Sequence, residues 1–399
     1  MKRAHRNVFL LTLAQALAMT AMIMNVTSTA LAGYELASDK SLATLAVAFQ
    51  FTATMLTTVP ASMLMARLGR RPAFILGAAA QLTGAIGSVF AITHGQFWLF
   101  CLCGACFGSA NGFSQYYRFA AADTADEAFR PKAISLVLGG GVAAALVGPE
   151  FARWSRDLLG VPYAGTYLML STMSLANCLL LGWLDIPRPP RARFTAGRSL
   201  AEIAAQPLFK VAVLSSMAVY GTMSLLMTAT PLAMAACGWR FDDSTFVIQW
   251  HALGMFAPAF VTGHLIRRFG LFPIMRVGGV LVAIGLVCDL TGQSVAHFWT
   301  GLTLLGVGWN FVFVGATTLL TGCYRSEEKA KVQALNDFCV FSTTALSAFS
   351  AGALQFNFGW QTLNYGIAPV VGFGTLALFW LRAGVRKPPA ALVTPALRR

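Results

Sequence analysis

The chain has 399 residues, 57% of them apolar and 11% charged, with a formal net charge of +14 and a mean hydropathy of +0.65. Soluble domains run at about a quarter charged residues, so a water-soluble enzyme is excluded, as are a disordered chain, a collagen and a transmembrane β-barrel. The basic excess sits in short clusters between long apolar runs and is not interleaved with stacking aromatics, which excludes a nucleic-acid partner and is the pattern that orients helices in a lipid bilayer.

The basic amino terminus, Met1 to Arg6, precedes an apolar run to about Ala32. That run exceeds the 7–15 residues of a signal-peptide core, so it reads as a retained first helix. Hydropathy then predicts an all-α polytopic membrane protein of twelve spans, near 8–32, 41–66, 72–94, 97–117, 133–153, 163–184, 209–235, 245–267, 272–293, 297–321, 333–355 and 362–382. With the amino terminus inside, only Lys40, Arg153, Arg156 and Arg240 of the 29 Lys and Arg fall in outer loops, which predicts both termini in the cytoplasm. The polar stretch Asp185 to Pro207, with Pro187, Pro189, Pro190, Arg188, Arg191, Arg193 and Arg198, divides the chain. The expected organisation is a six-helix bundle over 1–185, a cytoplasmic loop over 186–208, and a second bundle with a short tail over 209–399.

The eight cysteines (Cys101, Cys103, Cys106, Cys178, Cys237, Cys288, Cys323 and Cys339) lie within or at the ends of apolar segments, so they read as packing residues and not as a disulfide framework. The sequence has no Walker loop, dinucleotide glycine fingerprint, H-E-x-x-H or G-x-S-x-G, and an enzyme is not expected. The informative residues of a membrane bundle are polar or metal-binding groups at mid-depth.

The sharpest such set is Met223-x-x-x-Met227 on span 7 with His251-x-x-x-Met255 on span 8. A four-residue spacing puts two side chains on one helical face, one turn apart. If spans 7 and 8 run side by side, the two pairs are level to within about 3 Å. Thioethers and an imidazole suit Cu⁺, and a divalent ion would pay about four times the desolvation of a monovalent one. Three readings stand for the set: a metal site, a packed core, or a proton-relay histidine.

Further candidates are fewer and weaker. Met19, Met22 and Met24, Cys103 with Cys106, and Cys237 could relay a metal; Glu150 and Asp337 could carry a proton; Gly139-Gly140-Gly141 and Gly148-Pro149 look like a close-packing or bending segment. A rival cargo is an organic solute such as a vitamin or drug, held by Asn25, Asn111, Gln115, Tyr116, Tyr220, Trp309 and Asn310.

An internal repeat carries a family resemblance. Arg67-Leu68-Gly69-Arg70-Arg71 stands between spans 2 and 3, and Gly263 to Gly270, with Arg267 and Arg268, recurs 201 residues later between spans 8 and 9; Asn111 and Asn310 add a weaker echo. These loops resemble the G-x-x-x-D-R-x-G-R-[RK] loop of the major facilitator superfamily, matched by Arg67, Gly69, Arg70, Arg71, Gly263, Arg268 and Gly270. The acidic position holds Ala66 and Arg267 instead, so gating through that carboxylate is not expected.

The Met and His pairs on spans 7 and 8 also resemble one branch, the CcoA-like bacterial copper importers. That resemblance implies alternating-access import of copper through the bacterial inner membrane in support of haem-copper cytochrome oxidase assembly. Copper is then cargo and not a cofactor. A cytoplasmic copper chaperone or copper-exporting ATPase would stand downstream, and the protein would act as a monomer.

Overall fold

The computed structural model describes residues 3–126, 129–186, 197–325 and 328–380, all of it helix and connecting turns. The expected loop segment Pro187 to Arg193 and the tail 381–399 lie outside the described residues. In order, the helices are α1 (Arg3–Leu36), α2 (Leu45–Leu68), α3 (Arg70–Thr93), α4 (Phe97–Ser114), α5 (Tyr117–Thr124), α6 (Arg130–Ser155), α7 (Ala164–Gly182), α8 (Leu200–Ala205), α9 (Pro207–Ala236), α10 (Phe241–Phe256), α11 (Ala259–Phe269), α12 (Leu271–Thr291), α13 (Val295–Thr321) and α14 (Lys329–Trp380). Hydrocarbon offers no partner for a free N–H or C=O, so apolar sequence in a bilayer closes its hydrogen bonds within the helix. Hydroxyls do the same locally: Thr27, Thr54, Thr230 and Thr344 each donate to the carbonyl four residues back.

Among the described residues, ten helical segments are long and apolar enough to cross a membrane, and the pair α10 and α11, bent by 43° at Pro258, makes an eleventh. α14 supplies the twelfth. Its 52 residues would reach about 78 Å, far beyond a hydrocarbon core of about 30 Å, and Gly359 (φ 76°) breaks it. Trp360 then packs on Phe298 at one end of the bundle, while the Leu378 carbonyl accepts from Arg276 at the other, so α14 crosses and returns. The molecule therefore has a basic end, carrying Arg67, Arg70, Arg267 and Arg268, and an opposite end where Thr44 and Tyr163 lie.

Small residues set how closely the helices approach. A Cβ on Gly104 or Gly108 of α4 would collide with the carbonyl oxygen of Ala46 or Gln50 on α2, and Gly278 with Gly308 joins α12 to α13 in the same way. The glycine run of α6 is a packing device: a Cβ on Gly140 or Gly148 would come within 3.0 Å of Ala16 or Ile23 of α1, and α6 continues unbroken through Pro149. The repeat seen in the sequence has a backbone counterpart. Gly69 (φ 94°, ψ 167°) and Gly270 (φ 93°, ψ 160°) adopt the same left-handed conformation, between α2 and α3 and between α11 and α12, which only glycine takes without strain.

Helices α1–α7 pack mainly on one another, as do α9–α14. The two groups meet through α2 with α14, α6 with α10, and α1 with α9. Hydrogen bonds between the groups run from Thr44 to the Ala348 carbonyl (2.7 Å), from Gln249 to the Leu146 carbonyl (2.9 Å) and from Ser342 to the Met55 sulfur (2.9 Å), all between mid-depth and the opposite end. There the Arg156 guanidinium stands 5.1 Å from the rings of both Tyr163 and Phe241, a cation–π contact across the groups. The molecule is closed at that end.

At the basic end, Glu328 fixes the approach to α8. Its carboxylate accepts from the Arg198 side chain and amide and from the Arg325 amide, and its side chain is fully enclosed. The guanidinium and the two amides hold this carboxyl well below the ordinary glutamate range.

Two outcomes follow from this packing. Gly108→Val should abolish a monodisperse size-exclusion peak in detergent, while Gly182→Ala, whose Cβ meets nothing within 4 Å, should leave it unchanged. Because the folded Glu328 titrates below its unfolded value of 4.5, its contribution is complete above that pH and declines as pH falls through the folded value. The loss of thermal midpoint caused by Glu328→Gln should therefore be constant from about pH 5 to 8 and shrink in acid.

Candidate functional site

The four residues of the expected metal set occupy one half of the molecule, on the two helices α9 and α10. α10 lies chiefly against α13 and α6 and touches α9 only lightly, so α13 is the neighbour common to α9 and α10. Met223 and Met255 are buried in the apolar core of this half, and Met227 packs at its margin. His251 is fully buried. Its Nδ1 lies 2.7 Å from the Leu302 carbonyl of α13 and so donates there, which leaves Nε2 as a buried acceptor without a partner. Gly306 admits this contact, since its missing side chain lets the His251 backbone approach α13.

The relay candidates disperse. Met24 is core, Met19 packs beside Ile23 and Ala145, and Met22 lines a closed polar chamber of about 20 Å³ with Gln50, Gln81, Asn111 and Asn177. That chamber holds about one water, too little for an organic cargo. Cys103 and Cys106 sit against Gly87 and Gly84 of α3 as close-packing thiols. Cys237 is exposed beyond α9 and donates to Gln293 at 3.2 Å; it does not point back along α9 toward Met227.

Of the two carboxylates proposed for proton coupling, Glu150 is half-exposed and paired with Arg153 at 2.6 Å on the surface. Asp337 is different: it lies on α14, accepts from Asn336 and is within electrostatic reach of Arg118 on the first helix group.

The polar and aromatic residues separate in the same way. Asn25 donates to Gln50 at 2.7 Å within the bundle, and Tyr116 donates to the Thr58 carbonyl at 3.0 Å. Gln115 reaches Asn111 only at 3.4 Å. Asn310 pins three helices, donating to the Met255 carbonyl (2.7 Å) and accepting from Thr262 (2.6 Å), so its amide is held in a structural role. Tyr220 and Trp309, by contrast, form a wall with Phe313. Tyr220 stands edge-on to Trp309 (5.0 Å) and to Phe313 (4.9 Å), and Trp309 stacks on Phe313 at 5.0 Å with 20° between planes. The Trp309 Nε1–H is buried without an acceptor.

Near this wall stands Arg118, which hydropathy alone places in a loop beyond span 4. The span in fact continues through α5 to Thr124, so Arg118 belongs to it. Its side chain is solvent-accessible yet surrounded by protein, which marks an internal space between the helix groups. Tyr220 lies within electrostatic reach of both Arg118 and Asp337, so these three residues border one space. The sequence signal was there: a lone arginine flanked by Tyr116, Tyr117 and Phe119.

In the gating loops, Arg70 pairs with Asp123 of α5, so a carboxylate from another element serves the first loop although Ala66 occupies the usual acidic position. Arg67 and Arg71 are exposed. In the second loop Arg267 contacts His264 at 2.9 Å and Arg268 stacks over Phe269. Gly263 is exposed with nothing near its Cβ position.

Comparison with known proteins agrees with this architecture. The family model of the Major Facilitator Superfamily matches residues 9–288 and 212–398. The chain is 40% identical over 375 residues to the riboflavin transporter RfnT of Brucella anthropi, covering 92% of this chain and 94% of that one. It is 29% identical over 310 residues to the MFS-type transporter YddS of Bacillus subtilis, covering 72% and 70%. The crystal structure of a D-xylose–proton symporter superposes with a TM-score of 0.73 at 16% identity, over 95% of this chain and 98% of that one, which shows a shared fold. The chain belongs to the Major Facilitator Superfamily and is a multi-pass membrane secondary transporter.

Proposed function

We propose that the protein carries a flat heterocyclic vitamin of the riboflavin type across the bacterial inner membrane by alternating access, with the basic end and both termini in the cytoplasm. The observation that carries this reading is the aromatic wall of Tyr220, Trp309 and Phe313, with Tyr220 in electrostatic reach of Arg118 on the other helix group. Stacking on such a wall contributes about 1–3 kcal/mol per heterocycle face and needs no charge on the cargo. The relative named as a riboflavin transporter supports the choice of vitamin. Closure at the opposite end, through Arg156, Tyr163, Phe241 and Thr44, corresponds to the cytoplasm-facing state of the cycle. The distribution of Lys and Arg supports this orientation.

One observation favours a second reading, copper import. The unpartnered Nε2 of His251 is the tautomer that ligates a soft ion, with the Met255 thioether one turn along α10. Against it, the Met223 and Met255 side chains sit in an apolar core and α10 packs chiefly on α13 and α6, touching α9 only lightly.

Radiolabelled riboflavin and copper uptake, measured in parallel in cells expressing the protein, separates the two. On the vitamin reading, Tyr220→Leu lowers riboflavin uptake about tenfold at equal membrane abundance, while Met227→Leu changes it less than twofold. Copper uptake that depends on Met227, without riboflavin uptake, would transfer the assignment to the second reading.

A further inference from the structure

We propose that Arg118 and Asp337 form a two-jawed clamp for a neutral ring imide, the edge on which an N–H stands between two carbonyls. The inference rests on the vitamin reading and adds to it the chemistry of the recognised edge. Arg118 stands on α5 of the first helix group and Asp337 on α14 of the second, with Tyr220 within electrostatic reach of both. An arginine in a membrane span is expensive and is kept where it has a partner or a task.

Other arginines of this protein close their ion pairs: Arg198 reaches Glu328 at 2.7 Å and Arg153 reaches Glu150 at 2.6 Å. Arg118 and Asp337 sense each other's charge but do not approach within 4.0 Å. Asp337 accepts from its own neighbour Asn336 at 3.1 Å, and Arg118 lies 4.9 Å from the ring of the adjacent Phe119. Opposite charges are thus held apart across the cleft, with guanidinium donors on one side and carboxylate acceptor positions on the other.

A ligand that fills this gap must accept from one jaw and donate to the other. A carboxylate would be repelled by Asp337, and an ammonium by Arg118. A neutral group with C=O and N–H side by side satisfies both, and the aromatic wall at Tyr220, Trp309 and Phe313 requires that it be part of a flat ring. The pyrimidinedione end of a flavin has this edge. One jaw stands on each helix group, so a bound imide joins the groups and ties occupancy to their rocking.

The clamp is tested on the purified protein, from thermal stabilisation by lumiflavin, a flat imide with no polyol chain and a single ring N–H, against its N3-methyl derivative. The wild type should bind lumiflavin at least tenfold more tightly than the methylated compound, because methylation removes that N–H and leaves the Asp337 carboxylate without a donor. Asp337→Ala and Arg118→Gln should each weaken lumiflavin binding about tenfold, and Asp337→Ala should erase the preference, with melting of the ligand-free variants checked first. Equal binding of the two compounds by the wild type, or no binding of either, overturns the clamp whatever the variants do. Discrimination between them in a protein that does not transport riboflavin would keep the clamp and remove the vitamin reading.

Discussion

A hydrocarbon interior supplies no hydrogen-bond partner, and this constraint sorts the polar residues of the protein. Most have found partners inside the helices or between them. Threonine hydroxyls bond the preceding turn, Asn25 bonds Gln50, and Asn310 holds α13 to α10 and α11. Among the described residues, the groups left with open capacity include the Trp309 indole N–H, His251 Nε2 and both carboxylate oxygens of Asp289, and Arg118 and Asp337 form no ion pair with each other. A transporter must keep such groups, since a cargo can be held only by capacity the protein has not already used.

The same physics explains how the cleft is made. Glycine contacts draw α2 onto α4 and α12 onto α13 into compact groups, and the groups touch through small apolar patches around Ala252 and Ala348 and a few hydrogen bonds. The contact of Arg156 with Tyr163 and Phe241 is exposed to competition from water in a way that the glycine seams are not, so it is the kind of closure that can open and re-form. Rigid groups joined by exchangeable contacts are what alternating access requires.

The fold was largely legible in the sequence because its signal is one-dimensional. Apolar runs mark the crossings, and the repeat of Gly69 at Gly270 marks a pair of turns that share one left-handed backbone geometry. Boundaries failed where a helix changes direction or outlasts its apolar run: Pro258 bends span 8, and α5 extends span 4 to Thr124. That extension moved Arg118 from a loop into the cleft.

The site was less legible, because helical spacing shows which side chains share a face but not which helix that face meets. Met223 with Met227 and His251 with Met255 do share faces, yet α10 packs more on α13 than on α9, and the imidazole turns to Leu302. Tyr220 and Trp309 stand among the cargo residues that the sequence suggests, but Phe313, which completes their wall, carries no signal apart from its spacing.

The account stands or falls on whether a flat heterocycle lies against the wall in the cleft. The most direct measurement is the fluorescence of riboflavin titrated with purified protein, since stacking on an indole quenches a flavin. The account predicts saturable quenching by the wild type and about tenfold weaker binding by Trp309→Leu at unchanged thermal stability. Absence of saturable quenching by the wild type, or an equal affinity in Trp309→Leu, would contradict it.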